Sequence, residues 1–236
     1  MIAWFDALPS TSDFLCAQAK AGTVRHGAAV AAARQTAGHG RVGRPFFSPT
    51  GGLYCSVYLC EERLPPAGVL PVTPRAALAV RRVLARHNSH VGIKWVNDLF
   101  REGRKAGGIL AQRAGRGCVV GIGLNLHLAP GDVPDALLGI ITGCAKAPDL
   151  LPAPAALAEE IVAALLAILG EPNEPLLEEY RAASVLLGRA VDYEENGTRL
   201  QGVAAAIAPD GGLVLADGKI LRSGEVRILM PARDVN

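Results

Sequence analysis

A chain of 236 residues, 50% hydrophobic and 19% charged with a formal net charge of +2, is long enough for one sizeable core or for a core with a small appended domain. That balance excludes a disordered chain, and the near-neutral charge supplies no bulk attraction to nucleic acid or membrane. No run reaches the roughly 18 uncharged apolar residues that a membrane span needs. The opening MIAWFDALPSTSDF carries Asp6 and no basic stretch, so it does not read as a secretion signal. Cysteines at 16, 55, 60, 118 and 144 form no CxxC pair and no metal-ligand spacing; an odd, irregular set suits buried thiols in a reducing, cytoplasmic compartment.

In chain order, Ser10-Thr11-Ser12-Asp13 reads as a helix start, because hydroxyl and carboxylate side chains cap free backbone N–H groups. That helix runs to about Ala21, with Gly22 as its stop. Residues 27–34 are β-like, residues 35–52 polar and glycine-rich, and residues 53–60 (LYCSVYLC) alternate as a strand. Thr73-Pro74 opens a second helix with Thr as N-cap, and Asn88 closes it. On that helix Arg81 and Arg82 read as the wet face, with His87 and His90 solvated at its end. Residues 91–95 read as a strand, 109–112 and 118–124 as a strand pair joined by AGRG, and 153–169 and 175–187 as helices. From Gly188 short β-runs are separated by Asn196-Gly197, Asp210-Gly211 and Asp217-Gly218, dipeptides that supply the positive φ of tight hairpins; about five strands there suggest a small barrel.

Two segments carry the chemistry. In QTAGHGRVGRPFFSPTGG (35–52), glycines at 38, 40 and 43 can present bare N–H groups, Arg41 and Arg44 offer forks for carboxylate or phosphate, and Phe46 and Phe47 can cover a flat ring. Locally this is an anion-binding loop for a phosphate-bearing substrate with an aromatic base, although a mobile surface loop accounts for the same glycines. In IKWVNDLFREGRKAGGIL (93–110), a strand delivers Lys94, Asn97 and Asp98 to one end and a turn returns Lys105. The lysines can neutralise phosphate, and Asp98 can hold Mg²⁺ directly or through water. An ordinary hairpin with a charged tip is the blander alternative.

Together these segments are far more specific. AGHGRVGRPFFSPTGGLY resembles the Gly-Arg signature of the biotin protein ligases, and KWVNDLFREGRKAGGIL resembles their Lys-Trp-Pro-Asn-Asp segment and the Gly-Arg-Lys turn after it. GIGLNL (121–126) and the Ser10-Thr11 start match two further blocks, all in the family's order and spacing. The resemblance implies an α+β fold: a class II synthetase-like catalytic domain at 1–185, with a mixed β-sheet flanked by helices, and a small SH3-like barrel at 186–236. It implies ATP-dependent activation of biotin to biotinyl-5'-AMP and transfer to a lysine of a biotin carboxyl carrier domain, with Mg²⁺ and ATP. Ser10, Thr11 and Gln35 would bind the ureido ring, and the backbone at Gly38, His39 and Gly40 would meet the ureido group and carboxylate. Arg41 and Lys105 would hold the charged centre from opposite sides. Gly108 and Gly121 would line the biotin slot. Arg44 and Phe46 would close over the nucleotide, Asn125 would read adenine, and Lys94, Asn97 and Asp98 would place ATP and the metal, Asp98 also helping to deprotonate the acceptor lysine.

His39 stands where the family usually has Arg, Val96 where it has Pro, and Gln112 where an acid is common. Because the motifs begin at Ser10, the expected form is the one without a DNA-binding domain, as a possible homodimer. The alternatives are a non-catalytic biotin or biotinyl-adenylate binder, and lipoate or octanoyl transfer on the same fold.

Overall fold

The computed structural model describes residues 2–128, 131, 133–147, 150–195 and 197–229. A seven-stranded sheet runs in the order β1-β2-β3-β7-β6-β5-β4, formed by β1 (Ile2–Phe5), β2 (Ala29–Ala32), β3 (Leu53–Cys60), β4 (Gly92–Lys94), β5 (Asp98–Arg101), β6 (Arg104–Arg113) and β7 (Gly117–Leu124). Only β1 and β2 pair in parallel, so the sheet is mixed.

Side-chain alternation along the central strands sorts the two faces. Leu53, Cys55, Val57 and Leu59 of β3, and Cys118, Val120, Ile122 and Leu124 of β7, join the main core. That core is covered by α2 (Val72–Arg86), α3 (Pro154–Ile168) and α4 (Asn173–Ala183). The opposite face carries α1 (Thr11–Lys20), whose Leu15, Cys16 and Ala19 pack with Val30, Tyr58 and Val119. Ser56, Gly121 and Gly123 therefore point to the α1 side, where small and polar residues replace the core.

The second sheet is antiparallel in the order β11-β10-β9-β8-β12: β8 (Ala190–Glu195), β9 (Thr198–Ile207), β10 (Leu213–Leu215), β11 (Ile220–Leu221) and β12 (Val226–Ile228). Asp210 and Asp217 carboxylates accept from the N–H groups two residues on, Gly212 and Lys219, and Gly211 and Gly218 take the left-handed φ expected of them. Asn196 of the third expected turn lies outside the described residues. Val191, Tyr193, Ile207, Leu213 and Val226 merge with the main core, and Trp95 Nε1 donates to Gly211 O at 2.8 Å, so the second sheet is bonded to the first.

Several expectations need adjustment. The second helix begins at Val72 rather than after Thr73, with Pro71 in the cap position. The last helix begins at Asn173, which leaves Pro175 in a first turn where a missing N–H costs nothing. The strand β1 and the separate strand β5 had no strong pattern of their own. Arg82 is not a solvated group: its guanidinium spans Glu171 and Glu179. His87 Nε2 sits 3.1 Å from the Glu160 carboxylate, so it too is tied to a neighbouring helix.

Arg75 anchors the start of α2. It is 3% exposed, and its guanidinium donates to Leu70 O, Ile168 O, Glu171 O and Asn173 Oδ1 at 2.9–3.3 Å. Replacing it strands those buried acceptors. Arg75→Ala should therefore lower stability by about 3 kcal/mol in urea unfolding, and a loss below about 0.5 kcal/mol would contradict this role.

Candidate active site

The α1 face of the sheet holds a cavity of about 360 Å³. Its floor comes from Gly108 and Leu110 of β6 and Gly121, Ile122 and Gly123 of β7; one wall is the start of α1, and the opposite rim is the loop at 39–46. The floor must be flat. A Cβ on Gly123 would stand 2.6 Å from the Phe46 ring, so glycine there lets that ring lie against β7. A Cβ on Gly121 would collide with the Ser12 hydroxyl.

At one end every functional group is neutral. Ser10 caps α1, its hydroxyl accepting from Asp13 N at 3.1 Å. The Gln35 Oε1 accepts from Thr11 N at 2.8 Å and from Thr11 Oγ1 at 3.1 Å. Behind them the Ser56 hydroxyl, fully buried, donates to Thr11 Oγ1 at 2.9 Å and lies 3.0 Å from Ser12 Oγ.

At the other end cations converge. Lys105 Nζ pairs with Asp98 Oδ1 at 2.7 Å and stands 5.7 Å from the centroid of the Phe46 ring. Lys94 lines the same end, and burial pushes its amine below the ordinary lysine range against the pull of Asp98 and Glu225. Arg41 Nη1 donates to Gly224 O at 3.1 Å, and Arg44 pairs with Glu225. His39 Nε2 lies 3.0 Å from both oxygens of Asp13, which straps the loop to α1. Between the arginines, Val42 has φ 56° and is 95% exposed, a β-branched residue in a region that glycine favours.

The cavity thus gathers Ser10, Thr11, Gln35, His39, Gly40, Arg41, Arg44, Phe46, Lys94, Asn97, Asp98, Lys105, Gly108 and Gly121. Two expected residues are not brought to its wall. Gly38 sits behind the loop, where a Cβ would press on Ser48 Oγ and Gln35 Nε2. Asn125 is 3% exposed; its N–H donates to Ala106 O, and its amide reaches the carbonyls of Lys105 and Thr142. Its backbone N–H and its amide nitrogen brace the strand that carries Lys105, and its side-chain oxygen is not used in that bracing. Asn97 reaches the wall while its Nδ2 donates to Ile109 O at 2.8 Å. Gln112 lies beyond the cavity, its buried Oε1 without a partner among the described residues.

The sequence reading missed Ser56, Glu194, Gly224 and Glu225. Ser56 is one serine in an apolar strand. Gly224 and Glu225 approach through contacts more than 180 residues apart in sequence, to Arg41 and Arg44, which no local spacing encodes, and Glu194 reaches the wall from β8 of the second sheet.

The Glu225 clasp has a definite pH dependence. Burial opposes the charged form, but hydrogen bonds from Arg44 and Arg227 outweigh it and hold the carboxyl below its usual range. With the folded value depressed, the clasp contributes fully above the unfolded value of about 4.3 and is lost as pH falls through the lower folded one. Glu225→Gln at pH 7 should lower the hydrogen-exchange protection of the amides of residues 40–44, as should acid in the wild type once the slower intrinsic exchange at low pH is divided out. Exchange unaltered by the substitution would contradict the clasp.

The model of the Biotin/lipoate A/B protein ligase family matches residues 4–128. A Biotin--[acetyl-CoA-carboxylase] ligase of Mycobacterium tuberculosis is 33% identical over 216 residues, covering 89% of this chain and 80% of the relative. Among solved structures, the biotin protein ligase of Aquifex aeolicus in complex with biotin and ATP superposes with a TM-score of 0.83 at 22% identity, over 98% of this chain and 99% of that one. The ligase of Leishmania major in complex with biotinyl-5-AMP gives 0.66 at 27% identity, over 98% of each chain.

Proposed function

The chain belongs to the Biotin/lipoate A/B protein ligase family, and from that membership and the cavity we propose that it is a biotin protein ligase. It activates biotin with ATP and transfers it to a lysine of a carboxylase's biotin carboxyl carrier domain. The observation that carries this reading is one cavity with a neutral hydrogen-bonding end and a cationic end, the two needs of biotin's ring and of its carboxylate beside a phosphate.

The chemistry follows from those ends. In the first step a biotin carboxylate oxygen attacks the α-phosphorus of ATP and pyrophosphate leaves. The two reacting groups are both anionic, so their approach needs cations held in place beforehand. Arg41 and Lys105 supply them, with Lys94 and Arg44 toward the nucleotide and Phe46 covering its base. In the second step the acceptor amine attacks the acyl carbon and AMP leaves with the bonding electrons. Asp98, the carboxylate beside Lys105, helps to take the amine's proton in this proposal. The ureido ring lies at Ser10, Thr11 and Gln35, its slot lined by Gly108 and Gly121, with the backbone at 39–40 above the carboxylate.

Among the described residues no group of three His, Cys, Asp or Glu side chains forms a metal cage. The site does fit an Mg²⁺ that arrives with ATP, because that ion keeps waters and phosphate oxygens and asks for only one or two protein carboxylates. Asp98 would hold it, and the ion would neutralise phosphate charge.

The proposal also includes a division near residue 185 between a catalytic and an SH3-like unit. A homodimer through the sheet edge is supported by β1, an edge strand with Trp4 39% exposed. A cytoplasmic setting is supported by five free cysteines. No helix among the described residues is long and apolar enough to cross a membrane.

Pyrophosphate release that needs both biotin and ATP tests the first step. It should fall by about 10²–10³ in Arg41→Ala and in Lys105→Ala. Tight biotin binding with no pyrophosphate above background would instead make the chain a binder without turnover.

A further inference from the structure

We propose that Ser56 is a positioning residue that holds the Thr11 and Ser12 hydroxyls in the one-way hydrogen-bond chain beneath the ligand's ring; this rests on the reading of the neutral end as a cyclic-urea site. Ser56 is fully buried in the middle of β3 and is not part of the cavity wall. Its hydroxyl touches only other hydroxyls in the chain Ser12–Ser56–Thr11–Gln35–Ser48.

Hydroxyl chains can in general run either way, since each oxygen both donates and accepts. Here two one-way backbone groups remove the choice. Thr11 N–H can only donate, and at 2.8 Å it requires the oxygen, not the nitrogen, of the Gln35 amide. The Thr11 hydroxyl, 3.1 Å from that oxygen, must then spend its single proton on it. It must accept from Ser56, and Ser56, with its proton committed, must accept from Ser12. At the far end Phe46 O can only accept, so Ser48 Oγ donates to it at 2.8 Å and accepts from Gln35 Nε2 at 3.2 Å.

The polarised chain determines what remains for a ligand. Thr11 Oγ1 keeps a lone pair and no proton. Gln35 Nε2 keeps one N–H, and the Ser10 hydroxyl, whose oxygen accepts from Asp13 N, keeps its proton. An acceptor and donors side by side are complementary to the N–H and C=O of a cyclic urea, whereas a dithiolane ring offers them almost nothing. Without the Ser56 hydroxyl, Thr11 loses the donor to its oxygen and Ser12 its acceptor, so the Thr11 hydroxyl is held by Gln35 alone and the Ser12 proton is left to seek another partner. Ser56 thus acts on ring recognition without touching the ring. The register favours this arrangement: Ser56 is opposite Gly121, whose missing side chain leaves the space that Ser12 occupies.

The test compares Ser56→Ala, Ser56→Thr and Ser56→Val with the wild type, using calorimetric biotin binding and the biotin KM, ATP KM and kcat of pyrophosphate release. Thr and Val have nearly the same shape and both suit a strand, so their difference reports the hydroxyl alone; Ala covers the case in which the larger residues do not fit. The Ala and Val variants should raise the biotin Kd and KM roughly tenfold, while kcat at saturating biotin and the ATP KM stay within about twofold. Thr should restore most of the biotin affinity. Thr and Val behaving alike, or kcat and ATP KM falling with biotin affinity, would overturn the positioning role and leave the ligase reading intact. A wild-type chain that binds no biotin would overturn the reading itself, and this role with it.

Discussion

Everything at this site depends on holding like charges close together before the substrates arrive. Arg41, Arg44, Lys94 and Lys105 line one small cavity, and two unit charges a few ångströms apart near a protein surface repel by several kcal/mol. The fold compensates each where it stands. Asp98 meets Lys105, the Gly224 carbonyl meets Arg41, and Glu225 meets Arg44. At Lys94, burial makes the amine give up its proton more readily than an ordinary lysine. Substrate phosphate and carboxylate would replace these internal partners with little rearrangement, which is the condition for electrostatic catalysis.

That requirement explains why two sheets are bonded together. The Gly-Arg loop is anchored from below by Phe46 on Gly123, from the side by His39 on Asp13, and from above by the turn before β12. Trp95, next in sequence to Lys94, donates to Gly211 of the second sheet. The second sheet therefore bears on the cavity at its charged end, while the neutral end is built from α1, β3, the loop at 35–52 and the glycine floor of β6 and β7. The loop at 35–52 joins the two, with Gln35 and Ser48 at the neutral end and Arg41 and Arg44 at the charged one.

Much of the fold was legible because local chemistry and tertiary structure agree. The strand at 53–60 and the Ser10 cap appear where alternation and side-chain capping place them. Asp-Gly turns mark hairpins of the second sheet because few other dipeptides fit there. Two helices start two residues earlier than expected, at Val72 and Asn173, and the buried Arg75 guanidinium bonds to Leu70 and Asn173 beside those starts. The charged site residues were legible because the two segments together resemble the family's motifs in order and spacing, since the glycines, arginines and lysines taken alone suit a surface loop or a charged hairpin as well. Asn125 shows the limit of that reasoning: it stands outside the cavity wall with its amide nitrogen turned to the strand of Lys105, a bracing contact that spacing in the sequence does not reveal. Ser56 and Glu225 were invisible for related reasons, one because a buried serine in a strand has no sequence pattern, the other because its partner lies across the whole chain.

The central claim is that this cavity makes an activated acyl group and delivers it to one protein amine. Its most direct measurement is the intact mass of a purified biotin carrier domain after incubation with the chain, biotin and ATP, followed by mapping of the modified residue. The account predicts addition of a single biotin, on one lysine, only when both small molecules are present. A carrier domain left unmodified, or labelled at scattered lysines at the same rate as an unrelated protein, would contradict it.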